Sequence, residues 1–110
     1  MIIENIKPAS SISDAFAQFQ PVIKKFEDCG VFRTYNVMWG EESQASIDVF
    51  GTISETDSSY LSIKVVKEGQ VLFIARYGSA EGESFIRLVK TTTEFNELLD
   101  KFVKLYKNAN

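Results

Sequence analysis

The sequence predicts an α+β fold, a five-stranded antiparallel meander sheet with a proline-kinked N-terminal helix and a C-terminal helix packed on one of its faces. Three observations lead there. Between Val31 and Lys90 the chain breaks into stretches in which apolar residues recur with a period of two, the mark of strands. The connections between those stretches are too short for crossovers, so neighbouring strands run antiparallel. At either end of the chain apolar residues recur at spacings of three and four, so each helix has a single stripe with which to cover the sheet.

The first ten residues contain Ile2, Ile3 and Ile6 and are broken by Pro8 and the serines that follow, which suits a loose arm or a short edge segment. A helix then begins at Ser11-Ile12-Ser13-Asp14, with Ser11 or Ser13 as N-cap and Asp14 in the first turn. Its stripe is Ile12, Ala15, Phe16, Phe19, Val22, Ile23 and Phe26, and Gly30 is a natural stop. Pro21 interrupts the hydrogen bonding without changing the phase of that stripe. One bent helix is therefore expected, not two.

Strand one, from Val31 to Trp39, sets Tyr35, Val37 and Trp39 on one side, and Gly40-Glu41-Glu42 turns the chain into strand two, where Ile47, Val49, Gly51 and Ile53 share the core side. The centre of the sheet is the hairpin from Tyr60 to Tyr77. Its two runs, Leu61-Ile63-Val65 and Val71-Phe73-Ala75, flank Lys67-Glu68-Gly69. A two-residue turn would force Glu68 to positive φ; a type I turn followed by Gly69 in the left-handed region of a G1 bulge avoids that. This register sets Val65 opposite Val71, Ile63 opposite Phe73 and Leu61 opposite Ala75.

The last strand, Ser84 to Lys90, is expected to send Ile86 and Leu88 to the core and Phe85 and Val89 to the other face. Thr91 or Thr92 then caps the final helix, with Glu94 in capping-box position after Thr91. Phe95, Leu98, Leu99, Phe102, Val103 and Tyr106 form its stripe.

At 110 residues, 45% of them hydrophobic, the chain suits one α+β domain with one core, to which nine Phe contribute much of the bulk. It has 12 Lys and Arg against 15 Asp and Glu, a net charge of −3 and a pI near 4.9, so binding to nucleic acid or to an anionic membrane is not expected as its main activity. Neither a signal-like N-terminus nor a membrane-length apolar run is present, which gives a cytoplasmic expectation. The one Cys, Cys29, has no partner for an internal disulfide. With no His in the chain, Ser-His-Asp and Cys-His catalysis and most zinc sites are excluded. No paired carboxylate or lysine spacing suggests another catalytic apparatus, and no cofactor, metal or enzymatic activity is expected.

Two surfaces remain. The sheet face turned away from the helices would carry Phe50, Tyr60, Val66, Leu72, Ile74, Phe85 and Val89 among Asp48, Lys64, Arg76 and Arg87, which is too apolar for a face left in water. Alternate turns of a meander lie at one end, so Glu55 and Asp57 should approach Glu81 and Glu83. Solvated loop charge is the favoured reading of that cluster over a Ca²⁺ site, because the spacing fits no calcium loop. The interval from Arg33 to Lys64 has no Lys or Arg between its ends but includes Glu41, Glu42, Asp48, Glu55 and Asp57, a field suited to a basic partner.

The function expected from these features is a non-enzymatic protein-interaction module, such as a small acidic inhibitor, immunity or adaptor protein. It would act through the apolar outer face and the acidic loops, as a homodimer or with a protein partner of basic surface. The alternative is a small-ligand-binding domain with a cavity between the bent helix and a curved sheet, near Phe19, Tyr35 and Trp39.

Overall fold

A computed structural model describes residues 1–29, 32–40, 44–52, 58–78 and 83–108. Helix α1 spans Ile12–Cys29, strands β1 to β5 span Phe32–Trp39, Ala45–Thr52, Ser58–Lys67, Gln70–Gly78 and Glu83–Val89, and helix α2 spans Thr92–Asn108. The five strands form one antiparallel sheet in sequence order, with β1 and β5 at its edges. The fold is the α+β arrangement that the alternating strands and the two striped helices predict.

Local chemistry sets the helix boundaries. The Asp14 amide donates to the Ser11 hydroxyl at 3.1 Å, and the Asp14 carboxylate accepts from the Ser10 amide at 2.9 Å, so Ser11 is the N-cap of α1. Pro21 sits on the exposed side of one continuous helix. At α2 the Glu94 amide donates to the Thr91 hydroxyl at 3.2 Å, which makes Thr91 the cap. The β3–β4 hairpin has the expected register of Val65 with Val71, Ile63 with Phe73 and Leu61 with Ala75. Its irregularity lies between Val65 and Lys67, and Lys67 pairs with Gln70, so the connection is the two residues Glu68 and Gly69 and not the expected turn over Lys67-Glu68; Gly69 has φ 73°, the left-handed conformation expected of it.

The core lies between the helices and one face of the sheet. Phe19, Val22 and Phe26 of α1 and Phe95 and Phe102 of α2 are buried with Ile47, Val49, Leu61, Ile63, Val65, Val71 and Phe73. Phe73 packs edge-on to Phe95 at 6.0 Å between centroids and stacks on Phe102 at 5.5 Å, which holds α2 over β4. The first nine residues belong to this core, with Ile3, Ile6 and Ala9 all buried. Their backbone is held at both ends of the path: the Ile3 amide donates to the Thr92 hydroxyl at 2.9 Å, and the Gly69 amide donates to the Ile6 carbonyl at 2.9 Å.

One element faces the opposite way from the sequence reading. Val89 pairs with Val71 and Phe85 with Ala75, so Phe85, Arg87 and Val89 lie on the helix face while Ile86 and Leu88 lie on the outer one. Val89 is fully buried, whereas Ile86 is 69% and Leu88 44% exposed. A shift of one residue reverses every side chain of a strand, and both parities of β5 offer two apolar residues. Arg87 lies on the helix face, where at a sheet edge a long side chain escapes to water. Here it lies 5.2 Å from the centre of the Phe85 ring and pairs with Glu94 of α2 at 3.3 Å.

Candidate functional site: the uncovered face of the sheet

Both helices cover the same face, and the other carries a regular grid of side chains fixed by the strand registers. One row across the sheet runs Met38, Ser46, Lys64, Leu72, Leu88; the next runs Asn36, Asp48, Ser62, Ile74, Ile86; the third holds Phe50, Tyr60, Arg76 and Ser84 on β2 to β5. Side chains directly opposite one another on one face are ~5 Å apart at Cβ, so each row is a line of contacts.

The grid is divided by polarity. Its β1–β2 side carries Asn36, Ser46 and Asp48, with the half-exposed Met38 and Phe50 at opposite ends. On the β4–β5 side the pairs Leu72–Leu88 and Ile74–Ile86 make a two-by-two aliphatic block, in which Leu72 and Ile74 are half-buried and the edge residues stand clear. Between the two halves lies Ser62, at the middle of the central strand. It is only 7% exposed, a short side chain sunk among larger neighbours. The Tyr60 hydroxyl donates to Asp48 Oδ1 at 3.2 Å, and the Tyr60 ring packs on Phe50 at 5.4 Å between centroids. These contacts settle the polar end of the face without covering it.

Of the residues expected here, Phe50, Tyr60, Leu72 and Ile74 share the face, and Phe85 does not. Phe85 is edge-on to Phe73 at 6.5 Å and tilted against Phe102 at 6.1 Å, so it belongs to the core margin under α2. Ile86 and Leu88 take its place, and they are the two residues that the sequence reading assigned to the core. No local signal could have found them, because both parities of β5 offer two apolar residues and an exposed ion pair such as Arg87–Glu94 is too weak to choose between them. Glu55, Asp57 and Glu81 lie outside the described residues, as do Glu41, Glu42 and Ile53. Glu83 opens β5 with its backbone paired to Tyr77. Among the described residues no group of three or more His, Cys, Asp or Glu side chains is placed to hold a metal ion.

The residues of the alternative reading are engaged in packing. Phe19 is fully buried, and the Trp39 indole donates to the Ala9 carbonyl at 2.8 Å. An open groove of about 530 Å³ lies elsewhere, between the N-terminal segment and the start of α1, lined by Met1, Ile2, Ile6 and Pro8 with Asp14 and Gln18. Gln18 spans it, donating to the Lys7 carbonyl at 3.0 Å, while its own Oε1 is buried without a hydrogen-bond partner. Among the described residues no helix is long and apolar enough to cross a membrane. No family model matches the sequence, and neither the curated proteins nor the solved structures hold a match.

Proposed function

We propose that the chain is a non-enzymatic protein-interaction module whose contact surface is the uncovered sheet face, centred on Leu72, Ile74, Ile86 and Leu88. The observation that carries this reading is the exposure of Ile86 and Leu88, 69% and 44%, beside Leu72 and Ile74 on a face with no helix over it. A contiguous aliphatic block on a sheet costs solvation free energy unless something covers it, and proteins retain such blocks chiefly at interfaces. The chemistry of the chain supports the reading from the other side. It has no His, one Cys and, among the described residues, no carboxylate cluster placed to bind a metal.

The test is capture from source-cell extract with wild-type chain and with Ile86→Lys, which changes a residue 69% exposed and so should leave the fold intact. A species retained by wild type, whether this chain or another protein, and lost with Ile86→Lys is the expected result. Retention that survives Ile86→Lys but is lost when Lys104, exposed on α2, is reversed in charge would move the interface to the helices and overturn the reading.

A further inference from the structure

The groove between the N-terminal segment and the start of α1 is bordered by two side chains, Asp14 and Gln18, each with an acceptor oxygen that the fold leaves unused. We propose that this groove binds a small primary ammonium with a compact apolar body, its N–H groups taken by Gln18 and Asp14 and its body laid against Ile2, Ile6 and Pro8. The site is separate from the sheet face and does not depend on the reading given for that face.

Gln18 holds the first acceptor. Its Nε2 is oriented by two oxygens, the Lys7 carbonyl at 3.0 Å and Asp14 Oδ2 at 3.5 Å, and turning the amide over would set oxygen against oxygen at both. Oε1 is therefore the end left over, buried and without a hydrogen-bond partner among the described residues. A buried acceptor left unpaired is costly, and native folds hold few of them. The last torsion of a Gln side chain is broad and soft, so a turn of the amide can present Oε1 to the groove that Gln18 already borders, while Nε2 keeps the Lys7 carbonyl.

Asp14 supplies the charge. Its Oδ2 accepts from the Ser10 amide at 2.9 Å and from the Ser10 hydroxyl at 3.4 Å, while its Oδ1 accepts nothing among the described residues. An ammonium has three hydrogens and no acceptor, which suits a wall made of a carboxylate and an amide oxygen, and its bond to the carboxylate is charge-assisted. An anionic head would instead be desolvated beside Asp14 with like charge against it. Lys7 also borders the groove, but it is exposed, and its stem lets the charge stand in water.

Size and lining set the rest of the ligand. The volume of about 530 Å³ falls within the roughly 300–1,000 Å³ of small-molecule sites, and the walls beyond the polar end are aliphatic, from Ile2, Ile6 and Pro8. Because the groove is open on one side, a fragment of about nine non-hydrogen atoms should bind with a dissociation constant on the order of a millimolar.

The test is a titration of ¹⁵N-labelled chain with phenethylammonium chloride, with phenethyl alcohol and sodium hydrocinnamate as neutral and anionic counterparts at equal ionic strength. Phenethylammonium should give saturable amide shifts confined to the N-terminal segment and the first half of α1, largest around Ile6, Asp14 and Gln18. The alcohol should bind about tenfold more weakly, for want of the charge-assisted bond, and hydrocinnamate should not bind. Gln18→Met removes the acceptor at equal length and should weaken phenethylammonium about tenfold. Gln18→Glu should retain the binding, because it keeps the oxygen acceptors and loses only the donor to the Lys7 carbonyl.

Several outcomes overturn the proposal. They are the absence of saturable shifts with phenethylammonium, equal binding of the three probes, and tighter binding of hydrocinnamate, which would hand the head group to Lys7. Wild-type affinity in Gln18→Met overturns it as well. So does equal loss in Gln18→Met and Gln18→Glu, which is what a side chain that only braces the Lys7 carbonyl would give.

Discussion

Glu4 joins three parts of the chain through one carboxylate. It accepts from the Thr92 amide at 2.8 Å and from the Thr92 hydroxyl, and that hydroxyl in turn accepts from the Ile3 amide. An acceptor at the first turn of α2 satisfies a helix amide that has no partner within the helix, and its negative charge suits that end of the helix dipole. The hydrogen bond from the Thr92 hydroxyl, followed by those from the Thr92 and Glu4 amides, holds the carboxyl below its ordinary value of 4.5. A folded-state value below the unfolded one means that the stabilisation is fully present above pH 4.5 and is lost as pH falls through the folded value. In Glu4→Gln the part of the acid limb of the melting-temperature profile below that pH should flatten relative to wild type. Thermal melts across that range decide it; parallel profiles would mean that the N-terminal segment is held by Ile3 and Ile6 alone.

Gly69 is the other residue with a requirement of its own. At φ 73° it occupies a conformation that costs an L side chain about 1 kcal/mol. An added Cβ would meet the Glu4 carbonyl oxygen at 3.6 Å, an ordinary contact, so the backbone alone sets the cost of Gly69→Ala. Denaturant unfolding should show a loss of about 1 kcal/mol, and no loss would contradict the left-handed conformation of Gly69.

At the scale of elements, β5 divides the account most sharply. Val89 and Ile86 are three residues apart in one strand and face opposite ways. Val89→Lys buries a charge under α2 and should unfold the chain or cost several kcal/mol, while Ile86→Lys should stay within about 0.5 kcal/mol of wild type. The reverse order would restore the parity expected from the sequence. Phe102 stacks on Phe73 at 5.5 Å and is buried, so Phe102→Ala should cost about 3–5 kcal/mol. Equilibrium unfolding measures both.

The same elements show where the sequence was readable. The β3–β4 pairs from Leu61–Ala75 to Val65–Val71 followed from the two alternating runs and the left-handed Gly69, although Lys67 pairs with Gln70 where a longer turn was expected. The two helices followed from their caps, for which Ser11 and Thr91 were each one of two candidates, and from their apolar stripes, although Ile12 and Phe16 of the α1 stripe are exposed. β5 was different: Phe85 and Val89 compete with Ile86 and Leu88, and the choice rests on long-range packing, with Val89 fully buried in the core, that no local pattern encodes. The N-terminal segment was open for a similar reason, since the partners of Ile3, Glu4 and Ile6 lie at Thr92 and Gly69, far along the chain.

At the scale of the molecule, one layer of helices on one side of a sheet leaves the other side without a helix over it. The apolar character of that side was legible from Leu72 and Ile74. Its centre was not, because the exposed pair Ile86 and Leu88 had been assigned inward. The polarity division across the five strands sets the aliphatic block on β4 and β5 and leaves Asp48 and Asn36 on β2 and β1.

The most direct measurement is a pair of ¹⁵N–¹H correlation spectra of wild-type chain, alone and with the species that it captures from extract. Amide shifts on binding should be confined to the strands and be largest around Leu72, Ile74, Ile86 and Leu88, with α1 unchanged. Identical spectra, or shifts centred on the helices, would contradict the claim that the uncovered face is the contact surface.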